Sequence, residues 1–301
     1  SIGRTGRPVR KGNDAMKKWI GLAVLGLALV ACGERTKREV LQNKGSDTLV
    51  NVAQAWAEAY KTADPSVAIA VTGGGSGTGI SALINGTVDI ANASRKMKQK
   101  EVDLAQKNGV EAVEFTVGYD ALAVYVHKDN PVESLTLEQL RRIYGDGGDV
   151  ETWEQIGITV PGAKDGKIVR VSRQNNSGTY VYFKEAVIGK DGEYRLGSLD
   201  MHGSKDVVDL VAHTPGAIGY SGLAYATPEV RLVPIVSKAG AAPVMPSIES
   251  AVDRSYPIAR PLFMYTRGQP TGMVKTYMDW ILSPAGQKIL LDKGYAPVGS
   301  T

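Results

Sequence analysis

The sequence predicts an α/β fold in two lobes, with mostly parallel sheets and two strands crossing between the lobes. Three observations carry that expectation. Short β-rich runs alternate with stretches of helical apolar spacing along nearly the whole chain, the pattern of βαβ units. Two apolar runs, Phe115–His127 and Tyr256–Tyr265, are long enough to pass from one lobe to the other. A chain of 301 residues with 43% hydrophobic content allows one or two domains with a real core. Two crossings build the first lobe from both chain ends, with 40–118 and 261–301 in lobe 1 and 119–260 in lobe 2.

The beginning of the chain reads as an address rather than as fold. Residues 1–15 precede Met16 and are set aside as an upstream extension. Lys17 and Lys18 followed by the apolar run to Ala31 form an export signal over 16–31, shorter than the ~20 residues a spanning helix needs. The only cysteine, Cys32, ends the run Leu29-Val30-Ala31-Cys32, and an unpaired cysteine is otherwise a liability in an exported protein. Residues 32–39 are charged and read as a tether. The net charge of +4 misleads, because residues 32–301 hold 29 basic and 30 acidic side chains. That balance excludes a basic nucleic-acid surface.

In the body, Val40–Lys44 is a strand and Leu49–Tyr60 a helix, with Ser46 or Asp47 as its N-cap. Val67–Val71 is a strand, Gly73–Gly79 a glycine-rich loop, and a helix starts near Ser81. The strand 88–93 ends in Ser94-Arg95. In the second lobe, Leu137–Ile143 is a helix, Ile168–Ser172 a strand, Tyr180–Val187 and Val207–Ala212 helices, and Pro215–Tyr220 a turn into a strand. Residues 238–247 are loop, and Thr271–Ile281 and Pro284–Leu291 are the closing helices.

Three loops share one construction, a strand, a small hydroxyl-rich turn and a helix start: Gly45–Thr48, Gly73–Gly79 and Asn176–Thr179. Each offers backbone N–H groups, a dipole end and hydroxyls, which together attract an anion without a metal. Arg173, four residues before Ser177, has a guanidinium able to fork two anion oxygens, and Arg95 is a second cation at a strand end. The common enzyme patterns are missing. There is no G-x-x-x-x-G-K-[ST], the glycine cluster does not spell G-x-G-x-x-G, and Ser76 lacks the last glycine of G-x-S-x-G. His127, His202 and His213 have no metal spacing, and nothing places Asp89 beside Asp120 as an acid–base pair. No metal, cofactor or catalytic residue is expected.

Six motifs occur in order: Gly45–Thr48, Gly73–Gly79, Asp89–Arg95, Arg173–Thr179, Gly216–Tyr220 and Tyr256–Pro261. Together they resemble the phosphate-binding lipoproteins of bacterial phosphate ABC transporters, and the resemblance runs from about Val40 to Val298. It implies a two-lobed periplasmic-binding-protein fold of class II that closes on one inorganic phosphate and delivers it to an ABC permease. It also implies a monomer held to the membrane by a lipid on Cys32. Carried over, the phosphate contacts are Asp47, Thr48, Ser76, Ser94, Arg95, Arg173, Ser177, Gly178 and Thr179, with a hinge near 118–121 and 256–260. Some members have an aspartate after Ala-Ser that accepts the phosphate proton. Arg95 stands there in this chain, and Asp47 is the nearest substitute. A binder of sulfate, molybdate or a phosphonate stays open as an alternative, and an enzyme acting on a phosphorylated substrate is the third reading.

Overall fold

The computed structural model describes residues 39–299. The expected extension, signal segment and lipidated Cys32, with all of the tether except Glu39, lie outside the described residues. The first half is built on β1 (Glu39–Gly45), which pairs in parallel with β2 (Val67–Thr72) on one side and β3 (Ile90–Ala93) on the other. Successive side chains of a strand point to opposite faces. Ile90 therefore joins a core with Leu41, Trp56, Met264 and Tyr277, while Ala91 joins another with Ile80, Leu83 and Phe263. Helix α1 (Val50–Ala63) covers the first face and α2 (Ser76–Ile84) the second.

Two long strands join the halves. β4 (Ala112–His127) pairs antiparallel with β11 (Ala259–Arg267) over residues 112–121, then runs on between β8 (Ala217–Gly222) and β9 (Val230–Val233). β6 (Val169–Arg173) and β7 (Leu199–Met201) extend that second part in parallel. The strand order is β2-β1-β3-β11-β4-β8-β6-β7, with β9 on β4. A separate parallel pair joins β5 (Leu135–Thr136) to β10 (Ile235–Val236). Every antiparallel pair of these strands involves β4 or β11, so the parallel character belongs to the two halves and the antiparallel character to the strands that connect them. The register shifts between Leu262 and Phe263, where Val117 is passed over beside Gly118, a bulge that bends the pair as it leaves the first half.

In the second half, α4 (Leu137–Tyr144) carries a full capping box, Thr136 accepting from the Gln139 N–H at 3.0 Å. Helix α5 (Gly178–Phe183) runs into a π-helical turn over 184–188, and α6 (Ser204–Ala212) packs on the sheet with Val207 and Val211 buried. The short α7 (Ile248–Val252), capped by Ser247, precedes the return strand β11. Helices α8 (Gly272–Leu282) and α9 (Pro284–Asp292) then close the first half, where Tyr277, Ile281 and Leu290 are buried.

Three local expectations change. Helix α2 begins at Ser76, inside the glycine stretch, rather than near Ser81. Gly75 makes the turn with a φ of 91°, and an added Cβ there would stand 2.7 Å from the Asn176 carbonyl oxygen. Neither Ser46 nor Asp47 caps α1, whose N-cap is Leu49 without a side-chain bond. Their side chains are drawn into contacts with other loops. Helix α3 (Gln99–Lys107) lies where the sequence suggests no element.

Candidate functional site

The loops after β1, β3 and β6 and the start of α2 meet between the halves. The Ser46 hydroxyl donates to Ser94 Oγ at 3.0 Å, and the Ser94 N–H donates to Ser76 Oγ at 3.1 Å. Thr48 Oγ1 and Thr179 Oγ1, one from each half, are 3.0 Å apart. Ser177 caps α5, its Oγ accepting from the N–H groups of Thr179 and Tyr180. Ser46, Thr48, Ser76, Ser94, Ser177 and Thr179 are all buried. Gly178 lets the halves approach closely, because a Cβ added there would lie 2.2 Å from Ser76 Oγ and 2.5 Å from Ser94 Oγ. Five buried hydroxyls, of Ser46, Thr48, Ser76, Ser94 and Thr179, are thus brought together between the halves beside Gly178. Hydroxyls both donate and accept, so the cluster suits a ligand with several oxygens.

Asp47 and Arg173 form a bridge from one half to the other. Asp47 Oδ2 accepts from Arg173 Nη2 at 2.8 Å, and Oδ1 accepts from the Gly74 N–H at 2.8 Å. Arg173 also donates to Ser204 Oγ and to the carbonyls of Met201 and His202. Burial pulls its pKa below the ordinary arginine value against the opposing field of Asp47; a guanidinium keeps its charge in proteins. Asn176 adds a second link, donating to the Gly74 carbonyl at 3.0 Å while its own carbonyl accepts from the Gly77 N–H at 3.0 Å.

The structure thus brings Thr48 to Thr179, and Ser76 and Ser94 to Gly178, across the two halves, while Ser177 caps its own helix and Arg173 is held by Asp47, which is 12% exposed. Arg95 is placed otherwise than the sequence suggests. Its Nη1 and Nη2 fork Glu101 at 2.7 Å each, and Nη1 also donates to the Lys96 carbonyl. The cause is local, since Glu101 belongs to the unforeseen helix α3 and also accepts the Lys98 N–H at its start. Burial raises the Glu101 pKa, but the bonds and charges of Arg95 and Lys98 outweigh it and leave the carboxyl below its usual value.

The second cation at the centre is instead Arg260, a member of the Tyr256–Pro261 motif to which the sequence assigns no role. It donates to Thr48 Oγ1 at 3.2 Å and Thr179 Oγ1 at 3.1 Å, and is paired with Asp120 at 2.8 Å. A signal was available, in that Asp120 and Arg260 are charged residues inside the two apolar crossing runs. Burial pushes the Asp120 carboxyl above its ordinary value, against the lowering influence of the Arg260 charge and of the bonds from Arg260 and the Leu223 N–H. Arg95, Arg173 and Arg260 are therefore each held by a carboxylate. Among the described residues no group of three or more His, Cys, Asp or Glu is arranged to hold a metal ion.

Comparison with known proteins gives a consistent answer. The PBP superfamily domain matches residues 31–285. The phosphate-binding protein PstS of Pseudomonas aeruginosa is 38% identical over 270 residues, covering 86% of this chain and 83% of that protein. PstS of Bacillus subtilis is 32% identical, covering 89% and 84%. Among solved structures, a phosphate ABC transporter substrate-binding protein from Clostridium perfringens with bound phosphate superposes with a TM-score of 0.76 at 32% identity, covering 86% of this chain and all of that one. An ABC-type phosphate transport receptor from Vibrio cholerae gives 0.66 at 27% identity, covering 85% and 99%.

Proposed function

Because this chain belongs to the PBP superfamily and, within it, to the phosphate-binding proteins named PstS, we propose that it binds inorganic phosphate between its halves and hands it to an ABC permease for import. The observation that carries the reading is the convergence of Thr48, Ser94 and Thr179, from both halves, on the buried Arg260 guanidinium. Phosphate oxygens accept from hydroxyls, N–H groups and guanidinium alike, and bonds to a charged acceptor are each worth about 1.5–3 kcal/mol. The bridges Asp47–Arg173 and Gly77–Asn176 close over the centre, which excludes water and gives the closed form a surface that a permease can distinguish from the open one.

On this reading the phosphate contacts are Asp47 through its backbone N–H, Thr48, Ser76, Ser94, Arg173, Ser177, Gly178 and Thr179, and no covalent chemistry is performed. The protein works outside the cytoplasm as a monomer, tethered through a lipid on Cys32. A second reading, a general site for tetrahedral oxyanions, draws on one observation. The carboxylates bordering the centre, Asp47 and Asp120, are both engaged by arginines, so neither stands open as an acceptor for a phosphate proton. Calorimetric titration with phosphate and with sulfate separates the readings. Heat of binding with phosphate alone supports the first, equal affinities support the second, and no heat with phosphate removes the proposal.

A further inference from the structure

Asp120 and Arg260 are register partners on the two strands that join the halves. Both side chains are fully buried. Arg260 Nε and Nη2 donate to Asp120 Oδ2 at 3.1 and 2.8 Å, Nη1 reaches Thr179 Oγ1 and the Ser94 carbonyl at 3.1 and 3.5 Å, and Nη2 reaches Thr48 Oγ1 at 3.2 Å. The Tyr182 ring lies 5.7 Å from the guanidinium carbon. Asp120 Oδ1 accepts from the Leu223 N–H at 3.3 Å. The neighbouring residues Ala121, Leu122, Ile258 and Leu262 are apolar and buried. A buried ion pair is a weak source of stability compared with apolar side chains in the same space. What this one adds is a cation fixed where three loops from both halves meet.

We propose that Arg260 is a ligand contact, and that Asp120 positions it and balances its charge, so that the hinge pair sets which charge of oxyanion the site prefers. The inference rests on the anion-binding reading above. An anion oxygen lying between Thr48 and Thr179 replaces their hydroxyls as acceptor for Nη1 and Nη2. Arg173 is balanced by Asp47, Arg95 by Glu101 and Arg260 by Asp120. With all three pairs intact, a doubly charged anion meets dipoles but no excess of positive charge. Neutralising Asp120 leaves one guanidinium uncompensated in a region of low dielectric constant, and that favours the more highly charged anion.

The test is isothermal titration calorimetry of the protein with phosphate and with sulfate at pH 6, where phosphate is mainly singly charged and sulfate doubly charged. Asp120→Asn is expected to shift the phosphate-to-sulfate affinity ratio toward sulfate by about tenfold or more, or about 1.4 kcal/mol. The double variant Asp120→Asn with Arg260→Gln is expected to return the ratio to within about threefold of the unmodified protein while weakening both anions. Equal losses for both anions in Asp120→Asn would mean a purely structural pair and overturn the proposal, as would a double variant that keeps the shifted ratio. If Asp120→Asn gives no cooperative melt, Arg260→Lys decides. It keeps the charge but cannot reach both threonines, so it must weaken both anions about tenfold at an unchanged ratio, and undiminished binding sinks the idea. Failure of the unmodified protein to bind either anion is distinguishable, because it removes the functional reading itself.

Discussion

Gly178→Ala separates closure from folding more cleanly than any change to a hydroxyl. Gly178 opens α5 in the second half, and its Cβ would stand 2.2 Å from Ser76 Oγ, 2.5 Å from Ser94 Oγ and 3.0 Å from Ser76 Cβ, all in the first half. Ordinary contact begins near 3.4 Å, so these atoms must retreat by about an ångström. They cannot do so freely, because Ser76 Oγ holds the Ser94 N–H and Ser94 Oγ holds Ser46. Overpacking of this kind costs about 1–3 kcal/mol, and one broken hydrogen bond adds about 1 kcal/mol. The sum, about 2–4 kcal/mol, is a loss of roughly thirty- to several-hundred-fold in phosphate affinity. Gly178 is the first residue of α5 and has no positive φ, so alanine fits its backbone and folding of each half is not impaired. Calorimetric titration gives the affinity, and a thermal melt without ligand gives the stability. An affinity within about threefold of the unmodified protein would show that the bound state does not need this close approach.

Other consequences follow from the same contacts. Asp47→Asn removes a charge from the Asp47–Arg173 bridge and leaves a guanidinium that is 1% exposed without its counter-charge; a fall of about tenfold or more in phosphate affinity by calorimetry is expected, since a buried charge that loses its partner is costly. Arg95→Gln is expected to leave phosphate affinity within about threefold while lowering stability to urea by about 1–3 kcal/mol, because it frees Glu101 but no centre hydroxyl. The Glu101 pKa is held below its ordinary value in the fold, so its contribution is present above the unfolded carboxylate pKa and lost as pH falls through the folded one. The stability gap between the unmodified protein and Glu101→Gln, from urea unfolding at about pH 7 and about pH 3, must therefore narrow at the lower pH. Finally, with each of the three arginines paired at short range, phosphate affinity should change by less than about fivefold between roughly 0.05 and 0.5 M potassium chloride, since buried pairs are poorly screened. A steep decline would point to an unpaired cation at the site.

The loops around the centre were legible because each is local in sequence. Ser177, Gly178 and Thr179 announce a helix start within three residues, and the structure puts that start at Gly178. The same locality misled elsewhere. Ser46 and Asp47 have the chemistry of N-caps, but they serve Ser94, Gly74 and Arg173 instead, partners 27 to 126 residues away in the chain. Propensity describes what a side chain does when nothing distant competes for it, and here tertiary partners competed. Arg95 shows the reverse effect, a local partner in α3 that could be seen only once Gln99–Lys107 was known to be helical.

The pair Asp120 and Arg260 lies 140 residues apart, and no spacing rule reaches that far. Its placement nevertheless follows from the topology. On the proposed reading a ligand held between two halves touches the crossing strands through groups those strands carry, and β4 and β11 are the strands that cross. Apolar side chains at these positions would pack equally well but would have no hold on an anion. A lone arginine would hold it, yet would stand as an unpaired charge whenever the halves part, at a cost of several kcal/mol. Pairing it with its own register partner keeps the charge satisfied wherever β4 and β11 stay paired. Thr48 and Thr179, by contrast, belong to opposite halves and can share the guanidinium only in the closed form. The bonds that join the halves are these hydroxyl contacts together with the Asp47–Arg173 pair and the Asn176 links to the glycine loop. On the proposed reading a bound phosphate adds its own bonds to that set, so the halves hold together more tightly with cargo than without it.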